Sequence, residues 1–361
     1  MLRADLHVHT WHSGYNHDLP FLKSRDCFAD PLAVYQSAKA RGMDLVAITD
    51  HDSIDGGREL LDRAPDPRDV ILGEEVSCWL PVPGATGDRK RVEVHFGTWG
   101  MTETAHRELQ PLRGNALEVA AYLRQAGIFF AFNHPFHFYQ GQLPLEQYLD
   151  LLIDAAPAIE TRNGAMLPAH NQLAAALACA RGKVVVGGSD AHTLRRVGTT
   201  WTAAPGATRE EFLANVAAGR GRVGGVHGGT FQLAADIYGV IAQYWLSLVG
   251  LRRHEISVPR RILGGSFSLA TLPGEFVPLV VAARSKQREA RWVASSAAAL
   301  GIATGAAAPP PAEIEPEPGR CAGTGARAAS PSPASASCLR SAPAAKPIGS
   351  TCSPGCAGCG R

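Results

Sequence analysis

The sequence predicts an α/β fold built on a mainly parallel sheet of seven strands, which is enough strands to close a barrel. Two observations support this prediction. Short apolar runs alternate with longer helical runs through residues 1–225, and several of the helical runs begin after Asp or Pro and end at Gly. The strand candidates are DLHVHT, DLVAITD, DVILGEEVS, RVEVHFGTW, IFFAFNHP, AIETRN and KVVVGGSDAH.

Composition changes divide the chain into three predicted segments. Residues 1–225 carry the alternating pattern and are expected to form one α/β domain. Residues 226–303 are expected to form a helical extension, whose aromatic stretch at 231–250 could bind a protein partner. Residues 304–361 are rich in Ala, Pro, Ser and Gly and cannot bury enough apolar surface to fold, so a disordered tail is expected.

Charge and composition exclude several classes of protein. A formal net charge of +2 on 361 residues is too small for a protein that coats nucleic acid. There is no basic segment followed by an apolar one at the start, and the chain contains no apolar run long enough to span a membrane. We therefore expect a cytoplasmic protein without a membrane span, in which the eight cysteines are reduced.

Histidines and carboxylates concentrate at the ends of the predicted strands. Residues i and i+2 of a strand point to the same face, so His7 and His9 are expected to project together, and Asp190 and His192 repeat the spacing. The carboxyl ends of parallel barrel strands meet on one face of the barrel. The pattern therefore predicts a metal site there, built from these four residues and from others that lie on or at the end of further strands: Asp50, His51, Glu75, His95 and His134.

The order of these motifs resembles that of the polymerase and histidinol phosphatase (PHP) superfamily. DLHVHT, TDH, GEEVS, NHP and GSDAH occur in the order found in that family, and the resemblance covers residues 3–225. It implies a distorted, TIM-like barrel of seven βα units that holds two or three divalent metal ions and hydrolyses phosphoesters.

The resemblance also implies which residues hold each ion. His7, His9, Glu75 and Asp190 would hold the first, and Glu75, rather than Glu74, would bridge to the second. His95 and His134 would complete that second site, and His51 and His192 would hold the third. The turn HSGYNHD lacks the Asp that many members use in the third site, so His17 is the preferred substitute, with His12 or Asp18 as alternatives.

Ligands of this kind define the expected chemistry. Imidazole with carboxylate suits Zn, Mn or Fe better than Mg or Ca. Two ions bridged by a carboxylate can lower the pKa of a bound water and neutralise phosphoryl oxygens, so no protein nucleophile is required. Glu75, Asp190 and His192 are the expected catalytic residues, and Asp50 is expected to support them by orienting a ligand.

Arginines near the same strand ends are candidates for binding the substrate phosphate. Arg162 ends the sixth predicted strand, and Arg195 and Arg196 follow His192. Guanidinium groups match phosphate oxygens in bidentate fashion. The expected substrate is either a small phosphate ester or the end of a nucleotide or oligonucleotide chain.

Two other functions are compatible with a metal site on such a barrel. One is a catalytically weak metal-binding module that acts through regulation or interaction. The other is an amidohydrolase, which would normally bridge its metals with a lysine. Lys183 lies at the wrong end of its strand for that role, so the phosphoesterase is the favoured prediction.

Overall fold

The computed structural model of the chain describes residues 1–15, 24–81, 91–137, 146–251, 257–271 and 276–302. All of them belong to the first of the two units into which the chain divides, Met1–Ile314. The predicted disordered tail, 304–361, lies outside the described residues. No helix in the described part of the chain is both long and apolar enough to cross a membrane.

A single sheet of nine strands organises the described residues. The strands are β1 (Leu2–Asp5), β2 (Leu45–Ile48), β3 (Val70–Pro81), β4 (Arg91–Trp99), β5 (Phe129–Phe132), β6 (Ala158–Asn163), β7 (Val184–Gly188), β8 (Thr200–Ala204) and β9 (Arg222–Gly225). Their order in the sheet is β7-β6-β5-β4-β3-β2-β1-β8-β9.

Ten helices accompany these strands in the described ranges. Seven are interspersed with the strands: α1 (Pro31–Ala40), α2 (Asp55–Arg63), α3 (Glu103–Leu109), α4 (Ala116–Gln125), α5 (Glu146–Ala155), α6 (Pro168–Ala180) and α7 (Arg209–Asn215). Three more follow β9: α8 (Thr230–Leu248), α9 (Val258–Thr271) and α10 (Val277–Ala299). These last three occupy the predicted helical extension, whose boundary at residue 225 stays a prediction.

The predicted α/β architecture is present, but the predicted count of seven strands is not confirmed. Six of the seven strand candidates coincide with a strand, whereas the first, DLHVHT, shares only Asp5 with β1, so that His7 and His9 follow the strand instead of lying on it. Strands β8 and β9 are additional. Both added strands pair antiparallel, β8 with β1 and β9 with β8. They are only five and four residues long, and RVGG lacks the apolar run by which a strand is recognised in sequence.

The sheet curls into a nearly closed barrel because the chain after β7, the strand at one end of the sheet, pairs with the chain that follows β1. Val8 pairs in parallel with Ala191, and the amide of Asp190 donates to the carbonyl of His7 at 2.8 Å. A buried apolar cluster draws residues from every strand between β1 and β8, and only the inside of a barrel can be reached from all of them. The histidines and carboxylates of the predicted metal site lie at one end of this cluster.

Strand β4 also departs from the predicted parallel pattern, so that four of the eight strand pairs are antiparallel, and its direction affects the site. β4 runs antiparallel to both β3 and β5. Cross-strand partners point to the same face, and His95 of β4 is the partner of Ser77, two residues after Glu75. His95 therefore reaches the site from the middle of an antiparallel strand rather than from the carboxyl end of a parallel one.

Close approach of β7 to the chain after β1 requires glycine at position 188. A Cβ atom added to Gly188 would lie 2.4 Å from the backbone nitrogen of His7. We expect Gly188→Ala to lower the free energy of unfolding by about 3 kcal/mol, because a backbone atom cannot rotate away from the added methyl group. Chemical denaturation would measure this. Gly114→Ala is the matched control, since its Cβ would meet nothing within 4 Å, and equal stabilities for the two variants would contradict the prediction.

Candidate metal centre

The carboxylate of Glu75 lies at the centre of the candidate site. It is buried, and five imidazoles supplied by four segments of the chain surround its two oxygens. From the nearer Glu75 oxygen, the nitrogen distances are 3.1 Å for His7, 3.4 Å for His9, 3.3 Å for His51, 3.3 Å for His95 and 3.0 Å for His134. A single carboxylate shared in this way is suited to bridging two cations.

Asp190 provides the second carboxylate. Its Oδ1 lies 3.4 Å from His9 Nε2 and 3.6 Å from both His7 Nε2 and His192 Nδ1. Asp190 has a φ of 52°, an unfavourable value for a residue with a side chain, which persists only where the surroundings fix it. The side chain of Asn163 donates to its other oxygen at 3.2 Å.

Asp26 is a site residue that the sequence reasoning missed. Its Oδ2 lies 2.8 Å from His192 Nε2 and 3.8 Å from His51 Nε2. The predicted substitute His17 and the alternative Asp18 lie outside the described residues. The other alternative, His12, lies away from this group, with its Nε2 2.7 Å from Glu59.

The donor atoms present fit divalent cations. His7 Nε2 and His9 Nε2 are buried and have no hydrogen-bond partner among the described residues, although they lie close to other polar atoms of the site. Buried polar groups are normally paired. Buried nitrogen atoms that face the same space without bonding to a neighbour are therefore arranged to bind a shared cation. Four groups have ligand atoms within 4.8 Å of one another: His9/His51/His192, His7/His9/Glu75, His7/His134/Asp190 and His51/Glu75/His95.

Hydrogen bonds at the far side of two imidazoles direct their Nε2 atoms into the site. His7 Nδ1 lies 2.9 Å from Glu160 Oε1, and His9 Nδ1 lies 2.9 Å from the hydroxyl of Ser13. That hydroxyl donates to Asp50 at 2.8 Å, so it accepts from His9. With Nδ1 as the donor, Nε2 of each ring keeps its lone pair for a metal. Asp50 is thus linked to His9 through the hydroxyl of Ser13.

Electrostatic coupling within the cluster is strong. Burial raises the pKa values of Glu75 and Asp190, but the surrounding imidazoles, His7 first among them, hold both well below the usual range. Burial lowers the pKa of His192, yet Asp26 raises it to about 10. Burial lowers the pKa values of His7 and His95 too, but Glu75 lies beside both rings and raises these values above the usual range. Protons on His7, His95 and His192 would balance the buried carboxylates in the metal-free protein, and a bound cation would replace these protons.

Glu160, on β6, is a second residue that the sequence reasoning missed. Besides holding His7, its Oε2 accepts from the backbone amide of His134 at 2.9 Å and from Asn163 at 2.9 Å. We expect Glu160→Gln to lower metal affinity about 10- to 100-fold, because an amide holds the imidazole less firmly than a carboxylate does. Competition with a metallochromic chelator would measure this. Unchanged affinity with unchanged folding would contradict it.

The three predicted substrate arginines occupy different environments. Arg162 donates to the carbonyl of Gly225 at 3.1 Å. Arg195 is exposed and its guanidinium lies 3.2 Å from Asp236 on α8. Arg196 is buried at 2% exposure and donates to the carbonyl of Gly164, so it is not presented to solvent. The sequence predicts that Arg196 lies beside the site because it follows His192. The residues next to Arg196 in the sequence do not reveal that α8 packs against its side chain.

Glu74, the glutamate next to Glu75, faces away from the site. It is buried, with Oε2 2.8 Å from His106 Nδ1 and Oε1 accepting from Gln110 at 2.9 Å. Alternation along β3 separates the two carboxylates onto opposite faces. Of the two, only Glu75 reaches the cluster.

Parts of the chain are similar to known proteins. Residues 168–220 match the family PHP_C, described as PHP-associated. A stretch of 76 residues is 37% identical to the uncharacterized protein MJ1587 of Methanocaldococcus jannaschii, covering 21% of this chain and 44% of that protein. The chain thus spans less than half the length of this relative.

Two solved structures are also similar. A candidate metal-dependent phosphoesterase from Bifidobacterium adolescentis is 17% identical, with a TM-score of 0.37 over 58% of this chain and 91% of that one. The lesion-specific endonuclease PfuEndoQ from Pyrococcus furiosus is 19% identical, with a TM-score of 0.39 over 62% of this chain and 57% of that one.

The family match falls between β6 and β9, the part of the chain that contains Asp190 and His192. The last of the five ordered motifs, GSDAH, lies within the matched range, and the other four precede it in the sequence. Residues 168–220 thus match a PHP-associated family, and the five motifs resemble those of the PHP superfamily in their order.

Proposed function

We propose that the protein is a metal-dependent phosphoesterase. The observation that carries the proposal is the Glu75 carboxylate, shared by five imidazoles and buried at the end of the barrel. Two or three divalent ions, of Zn, Mn or Fe, would be held by the residues that converge there: His7, His9, Asp26, His51, Glu75, His95, His134, Asp190 and His192.

Ions bound in this cluster would supply an activated water near neutral pH and positive charge for the phosphoryl oxygens. The chain's own contribution is to fix the ligands. Glu160 and the Ser13–Asp50 pair each keep a proton on the Nδ1 of one imidazole, so that His7 and His9 offer Nε2 without a rearrangement. The substrate would be a small phosphate monoester or the phosphorylated end of a nucleotide or oligonucleotide, with Arg162 as the candidate phosphate contact.

The test is hydrolysis by the metal-stripped protein after Mn²⁺, Zn²⁺, Fe²⁺ or Mg²⁺ is added back. The substrate panel contains p-nitrophenyl phosphate, bis-p-nitrophenyl phosphate, a nucleoside 3′,5′-bisphosphate and a 5′-phosphorylated oligonucleotide. We expect turnover that needs added metal and is lost in His9→Ala and Asp190→Ala. His12→Ala is the matched control, because His12 is a neighbouring histidine outside the cluster.

Each outcome assigns the function. Turnover of a mono- or bis-ester that depends on metal and on both residues supports the phosphoesterase, and the preferred ester separates a phosphatase from a nuclease. Tight metal binding without turnover of any substrate would contradict the proposal and favour a metal-binding regulatory module.

A further inference from the structure

Two loops next to the metal centre are held by helices that follow the barrel. The first loop, residues 164–167, joins β6 to α6 and directly follows Asn163, which donates to Asp190. The second, residues 189–199, follows β7 and contains Asp190 and His192. Both loops contact α8 or α10 through buried charged side chains.

Helix α10 contacts the first loop through an ion pair. Lys286 Nζ donates to the carbonyl of Ala165 at 2.7 Å and lies 2.6 Å from Glu289 Oε2. The other oxygen of Glu289 accepts from the amide of Leu167 at 2.7 Å. The Lys286–Glu289 pair therefore forms hydrogen bonds with two backbone groups of the loop, the carbonyl of Ala165 and the amide of Leu167.

The setting of this pair on α10 argues against a role in helix packing alone. The other buried residues of α10 are small or apolar: Pro278, Ala282, Val293, Ser296 and Ala297. Lys286 and Glu289 lie in the middle of that stripe, at 6% and 4% exposure. Replacing a buried ion pair by apolar residues is often neutral for stability, so packing does not require charges here. Apolar residues could not bond the loop.

Helix α8 holds the second loop through Asp236. Its carboxylate accepts from the hydroxyl of Thr193 at 2.9 Å and lies 3.7 Å from the guanidinium of Arg196. Arg196 in turn donates to the carbonyl of Gly164 in the first loop. Asp236 thus fixes the segment next to His192 and, through Arg196, joins the two loops.

We propose that Asp236, Lys286 and Glu289 are positioning residues for the metal centre, and that helices α8 and α10 form one functional unit with the barrel. Held by α10, the first loop keeps Asn163 against Asp190, whose backbone conformation requires support. Held by α8, the second loop keeps His192 facing Asp26. This inference rests on the proposed metal-dependent function.

The test measures Mn²⁺ binding by the full chain, by equilibrium dialysis and by the electron paramagnetic resonance spectrum of the bound ion. The variants are Lys286→Met/Glu289→Leu and Asp236→Ala. Arg288→Met is the control, since Arg288 is exposed on the same helix. Lys286→Arg, which keeps the cation, is the conservative replacement. All measurements are made well below the melting temperature of each metal-free variant.

We expect the first two variants to bind Mn²⁺ at least about 10-fold more weakly, with an altered spectrum, and Lys286→Arg to retain most of the affinity. If the melting temperatures fall while affinity and spectrum stay at wild-type values, the helices only stabilise the fold and the proposal is wrong. If the wild-type chain binds neither Mn²⁺ nor, in the same dialysis experiment, Zn²⁺ or Fe²⁺, the metal-dependent function itself fails and the positioning role fails with it. If the wild-type chain binds Mn²⁺ but hydrolyses no substrate, the positioning role can still be tested. Failure of the proposed function and failure of the positioning role can therefore be distinguished.

Discussion

Glu75→Gln is expected to abolish hydrolysis and to release at least one ion from the centre. The glutamine side chain keeps the volume but loses the charge and one acceptor oxygen that five imidazoles share. Changing a residue that only supports a ligand costs about 10- to 100-fold in affinity or activity, so loss of the bridging carboxylate should cost more than about 100-fold. Metal content after dialysis and the steady-state rate would be measured together.

Glu74→Gln is the matched control for this experiment, because Glu74 is the adjacent, equally buried glutamate on the opposite face of β3. We expect it to affect the free energy of unfolding through His106 and Gln110, with metal content unchanged. A Glu75→Gln protein that keeps its metal and its rate would contradict the bridging role.

Asp26→Ala is expected to lower the number of bound ions by one and the rate by about 10- to 100-fold. Its carboxylate lies 2.8 Å from His192 and 3.8 Å from His51. The ions held by Glu75 should remain, so partial activity is expected rather than complete loss. Metal analysis and the rate at saturating metal would test this.

His12→Ala separates this assignment from the alternative drawn from the sequence. His12 contacts Glu59, so its removal should leave metal stoichiometry at the wild-type value. If His12→Ala loses an ion and Asp26→Ala does not, then Asp26 has been assigned the wrong role.

Regular strand geometry explains why much of the site could be anticipated. His7 and His9, like Asp190 and His192, are two residues apart next to strands that meet at one end of a barrel, and the structure brings all four together. Glu160 also lies on a predicted strand, and a charged residue within an otherwise buried strand was a sign that could have identified it.

Other parts of the arrangement depend on contacts between distant segments. Asp26 lies in a loop without a repeating pattern, and only the tertiary structure places it beside His192, 166 positions later. The buried state of Arg196 depends likewise on α8, and the pairing of β8 with β1 closes a separation of about 200 residues. Periodicity within one segment contains no information about such pairings.

The most direct test of the central claim is a crystal of the Zn²⁺-loaded protein, measured at wavelengths above and below the zinc absorption edge. The metal centre described above predicts anomalous peaks on both sides of the Glu75 carboxylate, each about 2.1 Å from the imidazole nitrogens that face it. A loaded protein whose anomalous peaks all lie away from Glu75, His7 and Asp190 would contradict it.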